Sequence, residues 1–484
     1  MIRSLIFIFV LILTFITAKK ADAKGYELKV RINNLANKDI ILGHRFADKL
    51  FPDDTLKLDN SGFGVFKGDK QFPEGIYFIF TPAKKMFDFF LTENQNFSIE
   101  TDTLELFDHL KFSNSPENTA ALEYRRFITH KQEELKALKE KKKDTKEEEQ
   151  QFSKELKLAI NKLIEDQKGN LVGVFFKALQ EITVPDPPKD VNGKILDSLF
   201  QARYYRSHYF DNLNLKDVRL LRTPIYNEKI KAYLDKVIPQ IPDTINMEID
   251  KLLNIAESDK ELFRFMLVTL FNYAATSQIM GFDAVYVHIA EKWYLPKATF
   301  EDTAFIRKTR ETVEKLKPLL IGKTAPDIQM LWVPSDHFQV ATTDSVARNN
   351  PHIGSFIKLS QINSKYTILV FWESDCHHCQ KQIPELYDIY KKNKDMDIKV
   401  LAVHMLGGVE GKKKWISFVN EHGLYDWMNV WNPYDFTYKK IYDIKITPAI
   451  FVLDKDKKII AKKIEPMQIE NFLKHYDKMT KKKL

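Results

Sequence analysis

The stretch Ile368–Gln380, which reads ILVFWESDCHHCQ, sets the architecture of the C-terminal part of this 484-residue chain. An apolar run typical of a β-strand leads into Cys376 and Cys379, the two cysteines of the sequence, and the residues that follow have helical spacing. Positions i and i+3 of a helix are neighbours, so the two Cα atoms should lie within the ~4.4–6.8 Å that a disulfide spans. The pattern predicts a thiol pair at the start of a helix.

A cysteine at a helix start has an unusual electrostatic environment. Unpaired N–H groups and the positive end of the helix dipole stabilise a thiolate there, which favours Cys376 as a reactive thiol. A purely structural disulfide to Cys379 is poorly supported, because it would close a loop of only a few residues in a chain large enough to fold without it. The pair is therefore predicted to be a redox centre.

The first residues have the organisation of an export signal, assigned to residues 1–23. Arg3 precedes the uncharged apolar run Leu5–Ala18, and Ala21–Ala23 is an A-x-A cleavage site. The apolar run is shorter than the ~20 residues of a membrane span, although an uncleaved anchor is the alternative. We expect a mature chain that starts near Lys24 in the periplasm or cell envelope, with membrane attachment only if the signal is retained.

Composition limits the partners. The formal net charge is +8, from 74 basic and 66 acidic side chains. Because this excess is small and mixed with acids, it gives no indication of nucleic-acid binding.

The two cysteines have three possible roles if the chain is exported. In an oxidising compartment, two cysteines at this spacing are a disulfide, a redox couple or half of a metal site.

Three successive patterns of periodicity divide the chain after the signal. Residues 24–115 alternate with period two between turn residues, which predicts an antiparallel β-sandwich. Residues 116–320 have helical spacing and predict an α-helical domain. Residues 321–484 alternate between strands and helices and predict an α/β domain. Its predicted elements are strands Tyr366–Phe371 and Ile398–His404, helix Gly411–His422, short elements Val430–Trp431 and Tyr438–Tyr442, a hairpin of Ala449–Leu453 with Lys458–Ala461, and a closing helix Gln468–Lys478.

Several motifs give this last domain a family resemblance. They are the opening Ile321–Asp327 (IGKTAPD), Phe371-Trp372 before the cysteines, Pro384 five residues after Cys379, and Ile446–Ala449 (ITPA). With them the domain resembles the thioredoxin fold, and more closely the TlpA/ResA-like branch of exported thiol–disulfide oxidoreductases. The whole chain resembles a Bacteroidota envelope architecture in which two domains of unknown function precede such a domain.

The resemblance implies a site and a mechanism. Cys376 would be the nucleophile of thiol–disulfide exchange and Cys379 the resolving thiol. Pro448 would follow a cis bond and leave the backbone of Thr447 free to pair with an extended substrate chain. The implied partners are protein thiols or disulfides and an upstream redox partner in the envelope, and no cofactor is implied. Whether the protein reduces or isomerises disulfides is left open.

The residues around the cysteines suggest how the redox potential is set. Imidazoles at His377 and His378 would stabilise the Cys376 thiolate and raise the potential above the roughly −270 mV of thioredoxin, whereas the Asp375 carboxylate would oppose the thiolate. The chain also departs from the family pattern. Val370 and Gln382 stand where relatives carry acidic residues, which leaves Glu373 as the candidate proton-transfer group.

Two other classes of function remain. Cys376, Cys379 and His404, with His377 or His378, could bind copper(I) or zinc in a metal-binding or metallochaperone protein. Alternatively, the chain could be a non-enzymatic envelope adaptor whose front domains bind a partner. The intact Pro384 and Pro448 favour the exchange reaction over the adaptor.

Overall fold

The computed structural model describes residues 25–141, 144–343 and 354–481, so the predicted signal, 1–23, lies outside the described residues. The chain divides into two compact units, one that ends at Val237 and one that begins at Ile238. This division lies within the stretch predicted as one helical domain, and the predicted boundaries at 115/116 and 320/321 stay predictions.

The first unit begins with two four-stranded sheets. Their orders are β4-β1-β7-β8 and β3-β2-β5-β6. The strands are β1 Tyr26–Asn33, β2 Asp39–Phe46, β3 Lys49–Lys57, β4 Phe63–Gly68, β5 Gly75–Phe80, β6 Met86–Leu91, β7 Asn96–Asp102 and β8 Lys111–Ser113.

The predicted sandwich is confirmed, and one detail of its strand pairing differs. Leu28, Val30 and Ile32 of β1 are fully buried, and they share a core with apolar residues of both sheets. Strands β1 and β7 pair in parallel, whereas the prediction was a wholly antiparallel sandwich. Period-two alternation shows which side chains face a core but carries no information about strand direction.

The helices of the first unit follow the sandwich. They are α1 Pro116–Lys141, α2 Lys146–Asp166, α3 Leu171–Leu179, α4 Phe200–His208 and α5 Pro224–Ala232. Cross-helix ion pairs link Lys131 to Glu155 at 3.2 Å and Lys139 to Glu149 at 2.8 Å. Exposed ion pairs contribute about 0–1 kcal/mol each. The packing of apolar side chains therefore contributes more to the stability of α1 and α2 than these pairs do.

The second unit begins with another group of helices. They are α6 Pro242–Ala256, α7 Lys260–Thr276, α8 Asp283–Ile289, α9 Leu295–Lys297 and α10 Thr303–Leu316. The side chain of Asp259 accepts hydrogen bonds from the first N–H groups of α7 and so caps the helix. Among the described residues, none of the helices combines the length and the apolar character needed to cross a membrane.

A seven-stranded mixed sheet forms the centre of the second unit, in the order β10-β9-β13-β12-β11-β14-β15. Its strands are β9 Gln329–Trp332, β10 Ser355–Lys358, β11 Tyr366–Trp372, β12 Ile398–His404, β13 Met428–Trp431, β14 Ala449–Leu453 and β15 Ile459–Lys462. Its helices are α11 Ser335–Thr343, α12 His377–Lys392, α13 Gly408–His422, α14 Thr437–Ile441 and α15 Pro466–Lys481. The predicted strands and helices are confirmed, and β9, β10 and α11 add to them.

The central strand of this sheet positions the cysteines. All seven residues of β11 are buried, between parallel β12 and antiparallel β14. A strand covered on both faces reads as a continuous apolar run, which explains the sequence Tyr366–Trp372. The chain leaves β11 at the carboxyl edge of the sheet and enters α12 after only four residues, so the first turn of α12 is fixed by a rigid strand.

A buried ion pair joins β15 to the helices of the same unit. Lys462 pairs with Asp283 of α8 and donates to the Leu319 carbonyl at 2.5 Å. The side chains of Lys462 and Asp283 are 7% and 8% exposed. Burial lowers the pKa of Lys462, although the nearby Asp283 carboxylate opposes that effect. A charged pair in such a place ties the sheet to a particular arrangement of these helices.

Candidate active site

The two cysteines occupy different environments at the start of α12. Cys376 immediately precedes the helix and is partly exposed, whereas Cys379, one turn further, is fully buried. Both are free thiols. One sulfur is therefore accessible to another molecule, and the other is accessible mainly to its neighbour.

The helix start makes the first thiol acidic. Partial burial of Cys376 opposes ionisation, but a hydrogen bond from Thr447 and the N–H groups of Cys379 and His378 outweigh it. These contacts hold the pKa of Cys376 below its ordinary value. The predicted effect of the helix start is thus present as specific N–H donors to the sulfur.

The second thiol is held in its protonated form. The pKa of Cys379 is raised to about 12, mainly by burial and to a smaller extent by the nearby Cys376, while the backbone of Glu373 and the side chain of Thr447 partly oppose the rise. At neutral pH the Cys376 thiol therefore ionises more readily than an ordinary cysteine, whereas the Cys379 thiol stays protonated.

The loop before β14 closes the site over the exposed sulfur. The Thr447–Pro448 peptide bond is cis, as the resemblance implies. The Cys376 thiol donates a hydrogen bond to the Thr447 carbonyl at 3.4 Å. Thr447 and Pro448 are both partly exposed, so they lie beside the sulfur on the surface that a substrate would meet.

His377 and His378 are exposed on the first turn of α12. His378 lowers the pKa of Cys376 through its backbone N–H. Both imidazoles line a surface groove of about 330 Å³. The other groove residues are Lys381, Gln382, Glu385, Glu465, Pro466 and Met467. A role for these two imidazoles in setting the redox potential remains a prediction.

The acidic residues near the cysteines are partnered with lysines. The Asp375 carboxylate lies 2.9 Å from Lys414 Nζ, and the Glu373 carboxylate lies 4.0 Å from Lys439 Nζ. Glu373 remains half-buried, with a side chain that is 27% exposed, and it contacts Cys379 through its backbone. The influence of Glu373 on Cys379 comes from its backbone. Proton transfer by the Glu373 carboxylate stays a prediction.

A serine–histidine pair lies buried behind the cysteines. Ser374 Oγ is 3.1 Å from Nε2 of His404, at the end of β12. From the sequence, His404 is a candidate metal ligand only, and Ser374 cannot be recognised, because a lone serine after a strand carries no distinct sequence signal. Within the part of the chain that the structure describes, no three His, Cys, Asp or Glu side chains are placed to hold a metal ion.

Two family models match parts of the chain. Residues 363–459 match a family described as thioredoxin-like, and residues 136–317 match a domain of unknown function (DUF5106). The thiol-disulfide oxidoreductase ResA of Bacillus thuringiensis is 29% identical over 126 residues, which are 25% of this chain and 69% of ResA. ResA of Bacillus cereus is 27% identical over 129 residues, which are 26% of this chain and 70% of that protein.

Solved structures of bacterial proteins also align with the chain. A thioredoxin-like protein from Bacteroides caccae is 20% identical with a TM-score of 0.43, covering 61% of this chain and 98% of its own. A domain of a possible thiol-disulfide isomerase from Cytophaga hutchinsonii is 36% identical with a TM-score of 0.28, covering 34% of this chain and 98% of its own. The family match and the order of the sheet identify the C-terminal part of the chain as a thioredoxin-like α/β domain.

Proposed function

We propose that this chain is an exported thiol–disulfide oxidoreductase that exchanges disulfides with protein substrates through Cys376 and Cys379. The observation that carries the proposal is the difference between the two thiols. An accessible thiol of lowered pKa lies one helical turn from a buried thiol of raised pKa. That combination suits a nucleophile and a resolving group, and it would serve no purpose in a structural disulfide.

The reaction proceeds in two exchanges. The Cys376 thiolate attacks one sulfur of a substrate disulfide, and the other substrate sulfur leaves as a thiolate that takes a proton from water. Cys379 then loses its proton and attacks Cys376 Sγ, which releases the second substrate sulfur and forms the Cys376–Cys379 disulfide. The substrate gains two electrons and the protein loses two. The reverse sequence oxidises a substrate dithiol.

The Thr447–Pro448 loop is proposed to hold the substrate chain. The loop is partly exposed and its Thr447 carbonyl is already within hydrogen-bonding distance of the Cys376 sulfur. An extended chain that pairs with the Thr447 backbone would bring its own sulfur next to Cys376. His377 and His378, exposed on the first turn of α12, are proposed to tune the stability of the thiolate.

The cellular setting is inferred from the sequence and from relatives. The N-terminal signal pattern supports export to the periplasm or envelope. The name of the ResA relatives, thiol-disulfide oxidoreductase, supports the type of reaction. Repeated turnover needs an upstream dithiol or disulfide partner that restores the starting state of the pair. The reduction potential, measured against glutathione, decides whether that partner supplies or removes electrons.

Single-cysteine variants test the proposal. Cys376→Ala should abolish disulfide exchange because it removes the accessible nucleophile. Cys379→Ser should attack substrates normally but accumulate as a mixed disulfide, because nothing resolves it. Exchange is followed with a disulfide-bonded protein substrate, and the trapped species by mass spectrometry. Full activity in the Cys376→Ala variant would overturn the proposal.

The other functional classes gain no support from the site. His404, which a metal site would recruit, is hydrogen-bonded to Ser374, stacks on Trp415 and makes a T-shaped contact with Trp372. Tight copper(I) binding by the reduced protein, together with failure to exchange disulfides, would restore the metallochaperone interpretation. Exchange by Cys376 would exclude an adaptor with inactive cysteines.

A further inference from the structure

The exposed cysteine closes a tight turn between β11 and α12. In this turn, residues 373–376, the N–H of Cys376 donates to the Glu373 carbonyl at 3.2 Å. Ser374 and Asp375 are the two central residues, and α12 follows directly. Because a hydrogen-bonded turn is one compact unit, contacts that fix its central residues also fix the backbone of Cys376. We call residues 373–376 the nucleophile turn.

Each central residue of the nucleophile turn has a side-chain partner on a neighbouring element. Ser374 is buried, and its Oγ lies 3.1 Å from Nε2 of His404 on β12. Asp375 is exposed, and its carboxylate lies 2.9 Å from Nζ of Lys414 on α13. Water does not compete for a buried hydrogen bond, whereas an exposed ion pair contributes little. The contact between Ser374 and His404 is therefore the stronger of the two.

His404 is itself held in a rigid frame. It lies opposite Trp372 in the register of β11 and β12, and the N–H of the next residue, Met405, donates to the Trp372 carbonyl at 2.9 Å. The residue is buried, and its ring stacks on Trp415 with the centroids 5.1 Å apart and meets Trp372 at a steep angle, also at 5.1 Å. The frame fixes the position of Nε2, and through it the hydroxyl of Ser374.

The other ring nitrogen indicates that packing alone does not explain this histidine. Nδ1 of His404 is buried and has no hydrogen-bond partner among the described residues. A buried polar atom without a partner lowers stability, and an apolar ring in the same stack would avoid that loss. The hydrogen bond of Nε2 therefore gives the histidine its purpose, and Ser374 is the residue that it meets.

The exact position of the Cys376 sulfur matters because a second loop faces it. Cys376 Sγ lies 3.4 Å from the carbonyl of Thr447, in the loop proposed to pair with a substrate chain. A disulfide in a chain held on that loop reacts only if Sγ lies in line with it, and small displacements of a reacting atom can slow such a step strongly. A small disulfide that is not held can approach the sulfur from any open direction.

We infer that His404 is a positioning residue for the first exchange: through Ser374 it holds the nucleophile turn so that the Cys376 sulfur meets a substrate chain bound at Thr447. The inference rests on the proposed function and adds to it a residue on another strand. His404 does not touch the substrate, so its loss should affect the geometry of attack rather than the chemistry of the thiol. A substrate held on the loop should be affected far more than a free one.

Two probes with the same leaving group separate positioning from reactivity. One is a short unstructured peptide whose single cysteine is disulfide-bonded to thionitrobenzoate, and the other is N-acetylcysteine carrying the same group. The Cys376 thiolate attacks the cysteine sulfur of the probe, a mixed disulfide forms, and the thionitrobenzoate anion leaves with the electron pair of the broken bond. Its absorbance is followed by stopped flow with the reduced full-length chain in excess. The later attack by Cys379 releases no colour, so the signal reports the first exchange alone.

Variants of the buried pair should distinguish the two probes. Ser374→Ala and His404→Phe should slow release from the peptide about tenfold and release from N-acetylcysteine less than about twofold, because only the held substrate needs the sulfur in one place. The double variant should be no slower than either single one, since both remove the same contact. His404→Gln, whose amide can still bond to Ser374, should return the peptide rate to within about threefold of the wild type.

The chain offers two matched controls. Lys414→Met breaks the exposed contact of the same turn with Asp375 and should change the peptide rate less than about twofold. Ser364 Oγ lies 3.0 Å from Thr367 Oγ1, and both residues are buried near the other end of β11. Ser364→Ala removes a buried hydroxyl contact of the same kind away from the cysteines, so it should lower the melting temperature without changing the rate for either probe.

Two results overturn the inference and leave the proposed function intact. One is a wild-type rate for the peptide in Ser374→Ala, and the other is equal slowing with both probes, which would indicate a purely structural role for the pair. Since Ser374→Ala removes a single oxygen, it provides the test even if His404→Phe fails to fold. A wild-type chain that releases thionitrobenzoate from neither probe would refute the proposed function itself, because Cys376 would not then be a nucleophile.

Discussion

At the scale of single residues, the molecule assigns opposite properties to two chemically identical side chains. The hydrogen bonds to its sulfur hold the pKa of Cys376 below its ordinary value, whereas burial raises the pKa of Cys379 to about 12. A free cysteine titrates near 8.5, between these two cases. The two pKa values differ because Cys379, one helical turn after Cys376, is buried, whereas Cys376 is partly exposed.

This difference predicts the pH dependence of thiol reactivity. Alkylation of the reduced protein should rise with pH through the lowered pKa of Cys376, with a midpoint below pH 9, and then level off, since Cys379 is still protonated there. The measurement is the rate of iodoacetamide modification, together with thiolate absorbance at 240 nm. A first transition centred above pH 9 in the wild type, or a transition below pH 9 that persists in Cys376→Ser, would contradict it.

How far the site follows from sequence depends on how local each contact is. Cys376, Cys379 and Pro448 belong to short motifs, and the sequence identified them. The link between Ser374 and His404 joins residues on adjacent elements 30 positions apart, so no local pattern indicates it. The backbone of His378 also lowers the pKa of Cys376, which a prediction based on imidazole chemistry could not distinguish from an effect of the side chain.

At the scale of secondary-structure elements, the buried pair of Lys462 and Asp283 is a testable connection between β15 and α8. Lys462→Met leaves a buried carboxylate without its partner, which typically costs about 3–5 kcal/mol. The double variant Lys462→Met/Asp283→Leu should recover most of that loss, because no buried charge remains. The measurement is the free energy of unfolding of the second unit in urea.

An exposed pair in the same unit is the control for this prediction. Lys317 lies 2.7 Å from Glu291, and both side chains are largely accessible, so Lys317→Met should cost less than about 1 kcal/mol. Equal losses from Lys317→Met and Lys462→Met would show that burial does not strengthen the Lys462–Asp283 pair.

The elements that the sequence predicted well are those with many buried residues. Strands β11 and β12 and the hairpin of β14 and β15 have apolar runs bounded by turns, and their observed bounds agree closely with the prediction. Strands β9 and β10 have four residues each, and β10 is mostly exposed at the sheet edge. Too few residues face a core there for a periodicity to be visible.

At the scale of the whole molecule, the compact units and the family matches divide the chain differently. The DUF5106 match, 136–317, includes residues on both sides of the division at Val237 and Ile238. Part of that matched segment supplies Asp283, which pairs with a strand of the thioredoxin-like sheet. A segment that recurs among proteins therefore need not be a segment that folds by itself.

Two fragments test this organisation. Fragment 238–484 keeps Asp283 and Leu319 as partners of Lys462, whereas fragment 321–484 loses both. We expect the shorter fragment to melt at least about 5 °C lower, since helix packing and the ion pair are removed together. Both fragments should still exchange disulfides through Cys376 and Cys379 at 25 °C. Melting followed by circular dichroism gives the comparison, and identical midpoints would favour the predicted boundary at 320/321.

The depth of Cys379 also bears on damage by peroxide. A peroxide reaches the exposed sulfur first and converts Cys376 to a sulfenic acid, which condenses readily with a neighbouring thiol. Cys379 is that neighbour, shielded from the oxidant by its burial. The product is the same disulfide that ordinary turnover forms, so the usual reductant repairs the lesion before irreversible sulfinic acid accumulates. An arrangement suited to exchange thus also protects its own nucleophile.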